Sequence, residues 1–171
     1  MLGFGVRSKI RSTEKRLGVS MDYLRHMYQH APNSFWKFEK LMPAAQHRDK
    51  LPAAPYHVAR LVATRHEDCG PCVQVCVNLA KEDGVEPAIL QAALAGKVED
   101  LPESLQDVYR FAESVVTADG EDVPYRERLR KVFGEEGLVE LALAIATCRV
   151  FPTLKRALGH AQSCSVVRAE V

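Results

Sequence analysis

Apolar residues recur at helical spacing along most of this chain, and prolines and glycines interrupt them at intervals. Between residues 57 and 76 the apolar positions fall at i, i+3, i+4 and i+7, and the pattern returns in residues 101–116 and 138–148. The interruptions include Pro52, Gly84, Gly120, Gly134, Gly137 and Pro152. The alternation typical of a strand covers only residues 73–77, inside a longer helical pattern. The sequence therefore predicts an all-α fold of about eight helices.

No change in composition marks a second domain within the 171 residues, a length that suits one ordinary domain with a core. The first dozen residues are basic and contain no acid, but they lack the apolar centre and the cleavage site of a secretory signal. We expect an N-terminal arm at residues 1–20, a helical domain at residues 21–160 and a C-terminal tail at residues 161–171.

Charge and apolar content exclude several classes of function. The net charge is only +1, acids and bases are interspersed, and no basic stripe with aromatic residues is present, so we expect no nucleic-acid partner. No uninterrupted apolar run approaches the roughly 18 residues that span a membrane. The five cysteines are an odd number, and three of them lie within eight residues, unlike the framework of a secreted protein. We expect a cytoplasmic protein.

The tetrapeptide Cys69-Gly70-Pro71-Cys72 has the letters of the thioredoxin redox centre. A thioredoxin motif follows a buried strand, whereas residues 56–68 here have the pattern of an amphipathic helix. Because proline does not fit inside a helix, the chain is expected to break near residues 66–68 and to begin a new helix. Asp68 is its expected N-cap, and Pro71 lies in its first turn.

Helix geometry separates the possible disulfides. Cysteines three positions apart on one turn are about 5–6 Å apart at Cα, so Cys69 and Cys72 can bond. Cys72 and Cys76 are at a similar distance, about 6 Å, but with unfavourable Cβ directions. Cys69 and Cys76 are about 10 Å apart along the helix and cannot bond while it is folded.

Together with the helical pattern, the cysteine pair resembles the carboxymuconolactone decarboxylase and alkylhydroperoxidase-D-like family. The similarity runs from about residue 51 to residue 158 and includes LPESLQDVYRFAESVV and GEEGLVELALAIATCRVFPTLKRALG. It implies an alkylhydroperoxidase-D-like helical fold and assembly into a homo-oligomer. In the peroxidase branch the second cysteine attacks peroxide and the first resolves it into a disulfide, which implies these roles for Cys72 and Cys69.

Two positions differ from the proton relay of that family. The family places a histidine four residues after the second cysteine and a glutamate twelve residues before the first, and here these positions hold Cys76 and His57. If the two helices form an antiparallel hairpin that turns near Glu67, His57 and Cys76 lie nearly level. We therefore expect His57 to act as the base for Cys72, with Cys76 beside it.

Other interpretations of the cysteine cluster remain open. His66, Cys69, Cys72 and Cys76 offer four zinc-type ligands, although one continuous helix does not easily wrap around an ion. The pair can also be a relic on a binding protein. Cys148 is expected in the core, Cys164 exposed in the tail, and the histidines His26 and His30 on the surface.

The sequence thus predicts a thiol-dependent oxidoreductase with Cys72, Cys69, His57 and Cys76 at its site. Its substrate would be a small hydroperoxide or disulfide, an external thiol would reduce it, and no cofactor or metal is expected. The alternatives are a decarboxylase or lyase of a lactone acid and a non-enzymatic oligomeric or metal-binding protein.

Overall fold

The apolar repeats form eight α-helices of eight residues or more in the computed structural model, which describes residues 2–162 and 169–171. No strand occurs in these described residues, so the predicted all-α fold of about eight helices is confirmed. The helices are α1 (Leu2–Leu17), α2 (Asp22–His30), α3 (Pro32–Glu39), the single turn α4 (Met42–Ala45), α5 (Ala53–His66), α6 (Gly70–Glu82), α7 (Pro87–Ala95), α8 (Glu103–Thr117) and α9 (Asp122–Ala157). A short 3-10 helix, Val98–Asp100, joins α7 to α8.

Helix α5 lies at the centre of the domain. It packs against α6, α7, α8 and α9, and every residue from Pro55 to Thr64 is buried. Small and branched apolar side chains such as Val58, Ala59 and Val62 let the neighbouring helices approach on all sides. A helix that is buried all round carries polar side chains only where they have a partner or a function.

The first three helices form a second apolar cluster beside this core. Residues 2–17, part of the expected arm, form α1, and Val6, Ile10 and Leu17 on one side of it are buried. They pack with residues of α2 and α3, among them Met27 and Phe35. Most of the expected arm is therefore a packed helix, because the apolar residues of α1 repeat at helical spacing and cover this cluster.

Helix α9 is interrupted once and continues through a proline. Gly134 has φ 72° and ψ −179°, a conformation open to glycine, so α9 consists of two helical segments that meet at this residue. The interruptions predicted at Gly137 and Pro152 are wrong, because both residues are buried inside the second segment. Tertiary packing there outweighs the lost backbone hydrogen bond of the proline.

By length and composition α9 could cross a membrane, but 50% of its most apolar stretch is buried inside the domain. The packing fits a soluble protein. Near the C-terminus, the backbone N–H of Glu170 donates to Gln74 Oε1 at 2.6 Å, so residue 170 contacts α6. Cys164, expected to be exposed, lies outside the described residues.

Candidate functional site

The turn between α5 and α6 places the cysteine motif at the start of a helix. Helix α5 ends at His66 and α6 begins at Gly70, with Pro71 in its first turn as predicted. The predicted N-cap is wrong: Asp68 has φ 45° and reverses the chain, and Cys69, with φ −125° and ψ 93°, is the N-cap. Its carbonyl oxygen accepts the backbone N–H groups of Cys72 and Val73 at 2.9 and 3.0 Å.

Cys69 and Cys72 are joined by a disulfide, with their Cα atoms 5.3 Å apart. This is the pairing that helix geometry allows best. The backbone N–H of Gly70 at the same helix end donates to the carbonyl oxygen of Gln162 at 3.0 Å. The carbonyl oxygen of Gln162 therefore occupies the N-terminus of α6. A substrate would have to approach the cysteine pair from the side of this helix.

A cavity of about 340 Å³ lies between the two apolar clusters, and Cys72 is on its wall. Cavities that hold small organic ligands typically start at about 300 Å³. Cys69 is completely buried, and its side chain is not among the cavity-lining groups. Of the two cysteines of the disulfide, Cys72 therefore borders the cavity and Cys69 does not.

Most of the cavity wall is apolar. Ile10 and Leu17 of α1, Phe35 and Phe38 of α3, and Leu79 of α6 form much of it. Trp36, the single tryptophan of the chain, also lines the cavity and is 47% exposed. The space therefore accepts a ligand with an apolar body.

Arg60 of α5 brings a positive charge to this wall although it is only 7% exposed. Its Nη1 donates to the Tyr56 hydroxyl at 3.4 Å, and its Nε is buried with no hydrogen-bond partner in the described chain. Burial acts to lower the pKa of Arg60, but its neighbours Cys76, Tyr56 and Cys148 outweigh burial and raise it. Arg60 is therefore a permanent buried cation.

Lys155 of α9 is a second buried cation on the same wall and is 4% exposed. Its Nζ lies 5.0 Å from the centre of the Tyr23 ring, where the aromatic face partly compensates its charge. Burial lowers the pKa of Lys155, and the nearby Cys76 acts in the opposite direction. No carboxylate pairs with Lys155 or with Arg60 within residues 2–162 and 169–171.

Replacing Lys155 with methionine is expected to stabilise the fold at neutral pH by about 1 kcal/mol or more, because a buried unpaired charge is removed. In the native protein the Lys155 ammonium group loses its proton at a lower pH in the folded state than in the unfolded state, where the pKa of lysine is about 10.4. Native stability should therefore rise with pH up to that value, and Lys155→Met should lack this rise. Urea unfolding from pH 7 to 10 measures both effects.

The exposed Lys131→Met provides the matched control, since it removes a lysine from the same helix without touching the cavity. It should leave the pH dependence of stability as in the native protein. A Lys155→Met variant that is less stable than the native protein at every pH would contradict an unfavourable buried charge.

Cys76 lies one turn after Cys72 on the same cavity wall. Its Sγ is 3.4 Å from Thr64 Oγ1 of α5, and its proximity acts to raise the pKa of both Arg60 and Lys155. Cys148 also borders the cavity, but it is packed in the core as expected, and burial raises its pKa to about 12. Of these two thiols, Cys76 has the surroundings of a functional group.

The expected position of His57 beside the cysteines is wrong. His57 Nε2 lies 2.8 Å from Asp83 Oδ2, while the residue opposite Cys76 is Thr64. Asp83 is eleven residues beyond Cys72, about 16 Å along a helix, so the imidazole does not reach the pair. Burial lowers the pKa of His57 although the hydrogen bond with Asp83 acts against it.

The other candidate ligands do not gather around the pair. His66 is exposed at the end of α5, and no group of three or more potential metal ligands occurs in the described part of the chain. The rings of His26 and His30 are in tilted contact with their centres 4.8 Å apart, and His160 Nε2 lies 3.2 Å from His26 Nδ1. Glu67 is the C-cap of α5, and its carboxylate pairs with Arg149 at 2.7 Å.

Sequence reasoning missed Arg60 and Lys155, although both leave a signal. Arg60 is the single charged residue between Ala53 and Thr64, in a helix whose neighbours are apolar on all sides. Lys155 continues the spacing of Leu141, Ile145 and Cys148, where an apolar residue is expected. A charged residue at a position where the helical spacing predicts an apolar one is not explained by core packing, and such a residue is a candidate for a functional role.

These groups make one arrangement: a disulfide sulfur, a buried guanidinium and a buried ammonium around an apolar cavity. Comparisons with protein families, with curated proteins and with solved structures find no match for this chain. Membership of the alkylhydroperoxidase-D-like family stays a prediction. The site geometry alone therefore has to support a function.

Proposed function

We propose that the protein is a thiol-dependent oxidoreductase in which Cys72 and Cys69 alternate between two thiols and a disulfide. The observation that supports this best is the bonded pair at the start of α6, with one of its two cysteines on the wall of a cavity of ligand size. A purely structural disulfide has no need of such a cavity, whereas a reacting one needs access for its substrate.

In the proposed reaction the Cys72 thiolate attacks one oxygen of a hydroperoxide. An S–O bond forms, the O–O bond breaks, and the leaving alkoxide takes a proton and departs as an alcohol. The Cys69 thiolate then attacks the Cys72 sulfur, so that an S–S bond forms, the S–O bond breaks, and water departs after protonation. An external dithiol reduces the new disulfide and is itself oxidised to a disulfide.

The positions of the two cysteines support these roles. Cys72 borders the cavity and receives the substrate, while Cys69 lies behind it in the core and resolves the intermediate. Arg60 and Lys155 place positive charge around the same cavity, which favours the thiolate form of a reduced cysteine. They take the part that the family assigns to its glutamate and histidine.

We further infer a cytoplasmic homo-oligomer. The large exposed apolar side chains include Val123, Val132 and Val139, all on α9, where a second copy of the chain would cover them. The buried free thiols Cys76 and Cys148 persist most readily in a reducing compartment.

The proposed chemistry is tested by adding one equivalent of tert-butyl hydroperoxide to the fully reduced protein. We expect each chain to lose the mass of two hydrogen atoms, peptide mapping to place the new disulfide at Cys69–Cys72, and a dithiol to reverse the change. The double variant Cys69→Ser, Cys72→Ser is the control for oxidation of the other thiols. An unchanged mass, or oxygen added only to Cys76, would contradict the proposal.

A further inference from the structure

Two buried cations without a counter-charge border one cavity. Arg60 and Lys155 are both more than nine-tenths buried, and within the described residues neither meets a carboxylate. The Nε of Arg60 has no hydrogen-bond partner there, and Lys155 has an aromatic ring in place of an anion. Elsewhere in the chain the partly exposed guanidinium groups of Arg25 and Arg149 are paired with glutamates at 2.6 and 2.7 Å.

Isolated charges are expensive inside a protein and are normally paired or bound to a ligand. Apolar side chains of similar size would fill the same positions at lower cost. The missing counter-charge is therefore expected to come from outside the chain. The cavity that both cations face is the place where it can bind.

We propose that this cavity binds an amphipathic carboxylate, with the carboxylate group on Arg60 and Lys155 and the apolar tail against Ile10, Phe35 and Phe38. A guanidinium fork matches the two oxygens of a carboxylate, and the ammonium group adds a second charged donor. The remainder of the wall is largely apolar, which suits a two-oxygen head group on an apolar body.

The basic residues at the rim of the cavity are already paired with carboxylates. Lys9 and Arg16 of α1 line the cavity, are well exposed, and are each paired with a glutamate, Glu39 at 2.8 Å and Glu82 at 3.5 Å. Glu39 is itself on the cavity wall, so the rim pairs balance their own charges, and among the described residues of that wall the positive charge without a carboxylate partner is that of Arg60 and Lys155. Combined with the proposed function, on which this step rests, the substrate class is a hydroperoxide of an apolar carboxylic acid.

Binding is tested with decanoate, and 1-decanol is the neutral ligand with the same chain length. The disulfide form of the protein is used, so that no redox reaction intervenes, and the fluorescence of Trp36 on the cavity wall reports occupancy. Decanoate is expected to bind at least about tenfold more tightly than decanol, since charged hydrogen bonds hold its head group. Equal affinities would overturn the proposal.

Variants locate the head group. Arg60→Met and Lys155→Met should each weaken decanoate binding by about tenfold or more and leave decanol binding unchanged. Both remove an unfavourable buried charge and are expected to fold. Lys131→Met on the surface is the control and should bind decanoate as the native protein does. Unchanged decanoate binding in both cavity variants would overturn the assignment.

Failure of this inference and failure of the proposed function give different results. If tert-butyl hydroperoxide forms the Cys69–Cys72 disulfide but decanoate does not bind, the redox function stands and the carboxylate site is wrong. If decanoate binds through Arg60 and Lys155 but no hydroperoxide oxidises the pair, the site is a carboxylate-binding site without that chemistry.

Discussion

Replacing Cys72 with serine is expected to slow the consumption of organic hydroperoxide by about a thousandfold or more, because the attacking sulfur is lost. Cys69→Ser keeps that sulfur. The reduced variant should therefore react once at nearly the native rate and then stop with a sulfenic acid on Cys72. Stopped-flow measurement of a single turnover gives the first step, and trapping with dimedone followed by peptide mapping locates the sulfenic acid.

The asymmetry of the two variants follows from access. Cys72 borders the cavity, whereas Cys69 is fully buried behind it, so substrate meets one sulfur first. Cys148→Ser is the control, because burial raises the pKa of the Cys148 thiol to about 12 and keeps it protonated at neutral pH. It should leave both steps near the native rate. A sulfenic acid trapped on Cys69 in the Cys72→Ser variant would reverse the roles.

Local rules predicted the elements and the cysteine pair. Helical spacing located the main helices, and the exclusion of proline from a helix interior placed Pro71 in a first turn. The pairing of Cys69 with Cys72 follows from the same helix geometry. Each of these inferences depends on residues only a few positions apart, which is why the sequence sufficed.

The sequence did not predict as well which residues of different helices face each other, as His57 illustrates. A turn assumed near Glu67 puts His57 level with Cys76, whereas the left-handed Asp68 and the N-cap at Cys69 lengthen the connection. His57 is consequently opposite Asp83 at the end of α6, seven residues beyond Cys76 and about 10 Å further along the helix than expected. A shift in the turn of only a few residues changes which side chains meet across a helix pair.

The cavity was not predictable either, because its wall comes from helices that are distant in sequence. The side chains that define it belong to α1, α3, α5, α6 and α9, and the helical domain predicted from the sequence did not include α1. Arg60 and Lys155 meet only after these helices pack. Their apolar surroundings in the sequence were the available signal.

Glu140→Gln is expected to destabilise the fold by about 3 kcal/mol, since a buried carboxylate that satisfies several backbone donors is lost. The backbone N–H groups of Asp49, Lys50 and Leu51 donate to the two Glu140 oxygens at 2.9 to 3.1 Å. These hydrogen bonds hold the loop that connects α4, which lines the cavity, to the central helix α5. A glutamine amide places an NH₂ group against one of these donors.

The pH dependence identifies this mechanism. Burial acts to raise the pKa of Glu140, but the backbone N–H groups of Leu51, Lys50 and Asp49 outweigh it and lower the pKa. Its contribution is therefore complete above the unfolded value of about 4.3 and is lost as the pH falls through the lower folded pKa. Urea unfolding should show the gap between native protein and Glu140→Gln narrowing below about pH 4, because the unfolded state takes up the proton at a higher pH than the folded state.

Glu136→Gln is the matched control, one turn earlier on α9. The Glu136 side chain is 77% exposed and pairs with Lys50 Nζ at 3.3 Å, on the same loop that Glu140 holds through its backbone. An exposed ion pair of this kind contributes at most about 1 kcal/mol. Equal losses in the two variants would mean that charge near the loop, and not the buried hydrogen bonds of Glu140, stabilises it. A loss confined to Glu140→Gln assigns to this one carboxylate the anchoring of the loop that carries the chain from the cavity wall into α5.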